Sequence, residues 1–150
     1  LLLSMVIDVQ NNNKDNNHND IYELRIMFET AALRIVIEKA TDEEIEELRA
    51  CVDRHSEAYK KGEADIEFCL EQEMIFHSRI YELTKNNLII RIGSVINDLF
   101  RQGILNSLRQ KESRELCISN HYAICESIKN RDNASMEKAV ADSLLDWYHS

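Results

Sequence analysis

Proline is absent from this 150-residue chain, and glycine occurs only three times. A chain so short of turn-forming and helix-breaking residues has almost no means of building a turn-rich β architecture, and it reads as all-helical. Basic charge is also scarce: 18 lysines and arginines stand against 27 acids, for a formal net charge of -9. Phosphate contacts need clustered cations, so these residues are not themselves expected to grip nucleic acid. The four cysteines, Cys51, Cys69, Cys117 and Cys125, form no C-x-x-C pair and sit within apolar helical patterns, which suits reduced core thiols. The opening run Leu1 to Ile7 lacks a basic lead-in and a small-residue cleavage site, and it is too short to span a bilayer. A cytoplasmic location with no membrane partner is therefore expected. What remains, 44% hydrophobic and 30% charged residues, suits one globular domain with a real core.

Taken in order, residues 1 to 9 look like a short β-branched strand with no partner, the expected end of a missing N-terminal neighbour. Opening on leucine also suggests a fragment or processed product of a longer chain. The asparagine-rich run from Gln10 to Asp20, with a solvated His18, reads as a flexible linker, so residues 1–19 are separated from a helical domain over 20–150. A first helix is predicted from about Asp20 to Lys39, with Ile21, Leu24, Phe28, Ala31, Ala32 and Ile35 inward and Arg25 at the stripe's edge. Thr41 to Glu44 spells a capping box for a second helix carrying Ile45, Leu48, Val52, His55 and Tyr59 inward to a Gly62 cap. The Asp42 to Glu47 acids form an exposed first turn that favours the helix dipole.

A third helix is expected from Asp65 to Thr84. The fourth, capped by Asn87, aligns Leu88, Ile92, Val95, Ile96, Leu99 and Leu108, while Gly93 and Gly103 weaken it or permit close packing. The fifth, from Ser113 to Asn130, aligns Cys117, His121, Ile124 and Ile128. The sixth, capped by Asp132 or Asn133, presents Met136, Ala139, Val140, Ser143, Leu144 and Trp147. His55, Met27, Met74 and Trp147 are assigned to the core. No fixed-period repeat runs through the six, which argues against a solenoid.

The chemistry is concentrated at Glu73-Met74-Ile75-Phe76-His77. Residues four apart share a helix face, so Glu73 and His77 set a carboxylate beside an imidazole, within a stripe marked by Ile66, Leu70, Ile80 and Leu83. A carboxylate buried there must protonate, find a partner or hold an ion. On pattern alone a packing couple is the favoured reading of the pair, and a satisfied core histidine that of His121. Cys117, His121 and Cys125, at steps of four, form a further thiolate and imidazole zinc set to be weighed.

The helices in series resemble the ligand-sensing C-terminal domain of FadR-like transcription regulators of the GntR family. Over residues 20 to 148 the likeness rests on Ile21-Tyr22-Glu23-Leu24-Arg25 with Glu29-Thr30-Ala31-Ala32, on Ala40-Thr41-Asp42-Glu43-Glu44, on Glu73 to His77, on Asn87-Leu88, on His121-Tyr122-Ala123-Ile124 and on Asp132. The resemblance implies an antiparallel helical bundle, dimeric, whose cavity takes a metal ion, a small organic acid or both. It also implies a winged helix-turn-helix, absent from the residues ahead of the first helix.

By resemblance, Glu73, His77 and His121 fill three of the family's four metal positions, with Glu73 where aspartate is usual. The fourth, a histidine on the last helix, is Ser143 here. One acid and two imidazoles still suit Zn²⁺, Ni²⁺ or Mn²⁺ if water or a ligand carboxylate completes the shell, with reduced affinity. The rival is a metal-free site in which Ser143 hydrogen-bonds the organic ligand. Arg25 is the expected clamp for a small carboxylate effector, opposed to the reading of a wet-headed flank residue. Asn97 and Arg101, one turn apart on the fourth helix, are weaker lining candidates, with a solvated flank the preferred reading. The resulting expectation is an effector-binding, dimerising regulator domain and not an enzyme. Its alternatives are a small helical metalloenzyme on the same ligands and a purely structural dimerisation module.

Overall fold

The computed structural model describes residues 17–149, with side chains from 20 to 145. The strand and most of the linker expected before residue 20, and the Trp147 side chain, lie outside the described residues. Six helices follow one another: α1 (Asn17–Lys39), α2 (Asp42–Lys60), α3 (Ile66–Leu83), α4 (Asn87–Ser107), α5 (Lys111–Lys129) and α6 (Asn133–His149). The expected all-α bundle is what forms, and no strand occurs among the described residues. α5 packs on α6, α3 on α4, α1 on α6 and α3, and α2 on α3 and α5.

The helix ends follow their sequence signals. Thr41 accepts from the Glu44 amide while the Glu44 carboxylate accepts from the Thr41 amide, the reciprocal box that holds the first turn of α2. α2 stops in a Schellman turn at Gly62, whose φ of 73° places it in the left-handed region. There the Gly62 and Glu63 amides donate to the Tyr59 and Ala58 carbonyls. Asp65 caps α3 and Asp132 caps α6. At α4 the capping residue is Asn86, one position before the expected Asn87, because its side chain reaches the Leu88 and Ile89 amides. α1 begins three residues before the expected Asp20.

Two turns contain non-glycine residues at positive φ, Lys85 and Arg131, both at 55°. Left-handed backbone is unfavourable for a residue with a Cβ, and here both side chains are used in return. Arg131 donates to the Ile37 and Ala40 carbonyls and to Asp42, and Lys85 donates to the Lys39 carbonyl and pairs with Glu44. Both therefore bind the α1–α2 corner, supplying donors to the carbonyls that every helix C-terminus leaves open.

The apolar interior comes in two parts. One gathers Leu33, Val36, Ile45, Leu48, Val52, Phe76, Ile80, Ile124, Ile128, Met136 and Val140 from five helices. The other gathers Cys69, Leu70, Ile96, Phe100, Ile104 and Leu108 from α3, α4 and the turn that follows. The predicted inward stripes of α2 and α6 are buried or half-buried wherever their side chains are described, and Cys117, His121, Ile124 and Ile128 on α5 behave likewise.

α1 and α4 depart from their predicted registers. In α1 the buried line is Arg25, Glu29, Ala32, Leu33, Val36 and Ala40, whereas Ala31 is exposed and Met27, expected in the core, is 63% exposed. In α4 the buried line is Gly93, Ile96, Asn97, Phe100 and Ile104. Leu88 and Ile92, expected inward, are exposed. Gly93 sets that rotation: a Cβ there would overlap the Tyr81 ring, so the bare backbone lets α4 lie directly on α3.

Candidate functional site

Between the two apolar clusters lies a layer of buried polar side chains. α1 contributes Arg25 and Glu29 one turn apart, α3 contributes Glu73 and His77 one turn apart, and α5 contributes Cys117 and His121 in the same spacing. Arg25, Glu29, Glu73, His77 and His121 are each at least nine-tenths buried. Burying several ionisable groups is unfavourable unless they answer one another, and these do.

The Glu73 carboxylate is central. Its Oε1 lies 2.9 Å from His121 Nε2 and 2.5 Å from Cys117 Sγ, which donates to it, while its Oε2 lies 3.3 Å from His77 Nε2. His77 is gripped from its other edge, with Nδ1 2.9 Å from Glu29 Oε1. Glu29 Oε2 in turn accepts from Arg25 Nε at 3.3 Å. Arg25 Nη2 closes the circuit at 2.5 Å from His77 Nε2, a hydrogen bond while that nitrogen keeps its lone pair. Its guanidinium also lies over the Phe100 ring at 4.8 Å. Phe76 stacks on His121 with ring centroids 3.8 Å apart, fixing the plane of that imidazole.

Burial by itself would raise both carboxyls. For Glu29 the charges of His77 and Arg25 outweigh it and hold the group down at about 2. For Glu73 the two imidazoles outweigh it and hold the carboxyl well below the usual range. Burial would lower His77, yet Glu29 and Glu73 prevail over it and over Arg25 and raise its proton affinity. Desolvation and the neighbouring Glu73 push the Cys117 thiol well up.

A cavity of about 60 Å³ opens on this layer, lined by Arg25, Glu73, His77, Cys117, His121 and Ser143 together with apolar residues that include Ile104 and Leu108. One donor atom from each of Glu73, His77 and His121 falls within 4.8 Å of the other two. The structure thus brings the three expected metal-position residues together, and Arg25 with them. Ser143 also lines the cavity, its hydroxyl donating to the Val140 carbonyl at 2.7 Å.

The secondary candidates fare differently. Asn97 is buried, but its amide donates to Ser78 Oγ at 3.0 Å and the side chain lies outside the cavity lining. Arg101 is exposed and borders a surface groove with Glu67, Met74 and Arg79. One turn apart on α4, the two therefore face different surroundings, and of the pair only Arg101 lies on the solvated flank. Cys125 is buried among the apolar residues of the larger cluster, so the Cys117, His121 and Cys125 set does not assemble. His55 takes the Cys125 place beside Cys117 and His121. Glu29 was not singled out from the sequence as a site residue. Its signal was the four-residue step from Arg25, which puts an acid and a base on one face of α1.

The fold and its polar layer define a class: an all-helical bundle with a buried, cavity-facing acid, imidazole and guanidinium constellation. The FCD domain model matches residues 20–145, and the chain belongs to that family. The HTH-type transcriptional repressor NanR of Cronobacter sakazakii is 25% identical over 124 residues, covering 81% of this chain and 46% of that protein. The gluconate operon transcriptional repressor of Bacillus licheniformis is 25% identical over 132 residues, covering 85% of this chain and 54% of that protein. This chain therefore spans about half the length of these relatives. Among solved structures, Streptococcus agalactiae GntR superposes with a TM-score of 0.73 at 19% identity, over 93% of this chain and 62% of that one. E. coli McbR/YncC gives 0.74 at 19% identity, over 87% and 62%. The domain is thus of the kind found in GntR-family transcription regulators, where an effector-binding role fits. No helix among the described residues is long and apolar enough to cross a membrane.

Proposed function

We propose that this domain senses a small organic acid and does so in a dimeric regulator, with DNA contacted by a winged helix-turn-helix outside the 150 residues in hand. The domain limits read from the sequence, linker to residue 19 and sensor from residue 20, belong to the same proposal. So does the reading that the chain is a cytoplasmic regulator and not an enzyme, which the matched relatives, all transcription regulators, support. The carrying observation is the convergence of Glu73, His77, His121 and Arg25, from three different helices, on one cavity.

The donor set suits a divalent transition metal such as Zn²⁺, Ni²⁺ or Mn²⁺. Glu29 at Nδ1 of His77 leaves Nε2 as the ring's lone-pair nitrogen on the side of Glu73, the outer-sphere arrangement that orients metal-binding histidines. When bound, the ion would supply a Lewis-acidic position for a carboxylate oxygen. Glu73, His77 and His121 would hold it, and Arg25 would turn from His77 to the effector's carboxylate through two parallel hydrogen bonds. Charge supports the pairing. With both imidazoles neutral, as metal ligation requires, Glu29, Glu73 and Arg25 sum to -1, a divalent ion brings the site to +1, and one carboxylate restores neutrality. The cavity volume suits a few waters or a small anion of similar bulk and not a long acyl chain. Ser143 offers a hydroxyl to either.

Because the ligands come from α1, α3 and α5, binding would favour one packing of those helices, by no more than the difference in the effector's affinity for the two packings. Elemental analysis and calorimetry with acetate, lactate, citrate and gluconate test the reading. Wild type should carry about one ion per chain and bind one of the acids, and His121→Ala should lose both. No ion and no acid bound by either protein would defeat it.

A further inference from the structure

His55 is 1% exposed, and neither of its ring nitrogens has a hydrogen-bond partner among the described residues. A buried imidazole carries the desolvation penalty of both nitrogens unless something is bound there, so two orphaned atoms need an explanation. Packing supplies only part of one: the ring meets Phe68 edge to face, 6.1 Å between centroids. One nitrogen of His55, Cys117 Sγ and one nitrogen of His121 lie within 4.8 Å of one another. Cys117 and His121 line the cavity, so an ion entering there meets two of the three donors directly.

We propose that His55, Cys117 and His121 form a second metal site, for a thiophilic ion such as Zn²⁺, which shares His121 with the Glu73 and His77 site and is occupied in its stead. The chemistry of the donors carries the choice of ion. Two imidazoles and a thiolate are the ligands of a borderline-soft metal, whereas a carboxylate and two imidazoles also admit harder ions such as Mn²⁺. A tetrahedral zinc with bonds of about 2.0–2.3 Å sets its donors roughly 3.5 Å apart, so side-chain shifts of about 1 Å bring these three donors onto the ion, with water in the fourth position. On binding, the Cys117 proton, now held against Glu73 Oε1, leaves to solvent and the thiolate takes the ion.

The sharing follows from His121 itself. A neutral imidazole carries one proton and one lone pair, so it serves one ion at a time unless it becomes an imidazolate. The identity of the bound metal would then decide whether His121 remains in the effector site or is drawn toward α2. Its donors His55 and Cys117 belong to no part of the effector reading, but its occupation withdraws His121 from the Glu73 and His77 set.

Cobalt(II) is the probe, as a spectroscopic stand-in for zinc on the purified chain. Wild type should show a near-ultraviolet thiolate-to-cobalt charge-transfer band that saturates at one ion per chain. Cys117→Ser and His55→Gln should lose it, whereas His77→Ala, which disables only the first donor set, should keep it. X-ray absorption of the zinc-loaded wild type needs no variant and should find one sulfur ligand at about 2.3 Å. A wild-type cobalt spectrum without the band, a zinc shell without sulfur, or a band that survives both Cys117→Ser and His55→Gln overturns the proposal. A cobalt spectrum lacking sulfur while citrate or gluconate still binds would remove this site and leave the effector reading standing.

Discussion

Two polar constructions sit in the same bundle and obey opposite rules. At the α1–α2 corner, Arg131 and Lys85 each give their donors to backbone carbonyls and an acid, with the charges reaching water. In the central layer, Arg25, Glu29, Glu73, His77 and His121 are buried and answer one another, with Glu29 Oε1 2.9 Å from His77 Nδ1. The corner is saturated and needs nothing more. The layer pairs its groups with one another, yet Arg25, Glu73, His77 and His121 also face a cavity that can admit a guest. Access to a cavity, rather than charge content, separates a site from a fastening.

The comparison is broken most severely at Arg25. Arg25→Met removes the guanidinium facing Glu29 and leaves that buried carboxylate short of a partner, so unfolding by urea should show a loss of about 3–5 kcal/mol. Acid comes next. The Glu29 carboxyl is lower folded than unfolded, so its stabilising effect is complete above about pH 4.5 and is lost as the pH falls toward 2. That shift corresponds to about 3 kcal/mol. The stability gap between wild type and Glu29→Gln should therefore be widest above pH 4.5 and close as acid is added; a gap independent of pH would remove Glu29 from the charged layer.

At the corner the effects should be smaller, because each lost donor leaves a carbonyl that water can reach. Arg131→Ala should cost about 2 kcal/mol. Arg131→Gly should cost about 1 kcal/mol less, since glycine removes the left-handed strain along with the side chain. Equal losses would mean that the backbone conformation there is not strained. Thr41→Ala, which opens the capping box at the same corner, should cost about 1 kcal/mol, read as a shift in the denaturation midpoint.

The sequence carried the helix count and most of the caps, because capping chemistry and four-residue spacing are local properties, whereas the joining of His121 to Glu73 and His77 was implied by the family resemblance alone, since no local pattern links α5 to α3. It failed where burial defied hydropathy. The inward line of α1 begins with an arginine and a glutamate, so an apolar-only reading slid onto Leu24, Phe28 and Ala31 and pushed Arg25 to the edge. α4 has apolar residues on more than one face, and the choice between them is made by Tyr81 meeting the bare backbone of Gly93, a contact invisible in one helix alone. His55 was assigned to the core and is there. That its nitrogens face no partner is a fact of three dimensions.

The Schellman turn at Arg131 has one more consequence. Its guanidinium holds the last turn of α1, while Arg25 sits in the third turn from the other end of that 23-residue rod. With a rise of about 1.5 Å per residue, Arg25 stands some 22 Å from the held end and Asn17 some 34 Å. A pivot that shifts the guanidinium of Arg25 by a given amount carries the start of the rod about half as far again. The start of the rod is thus the far end of a lever whose fulcrum is an arginine in a left-handed backbone pose.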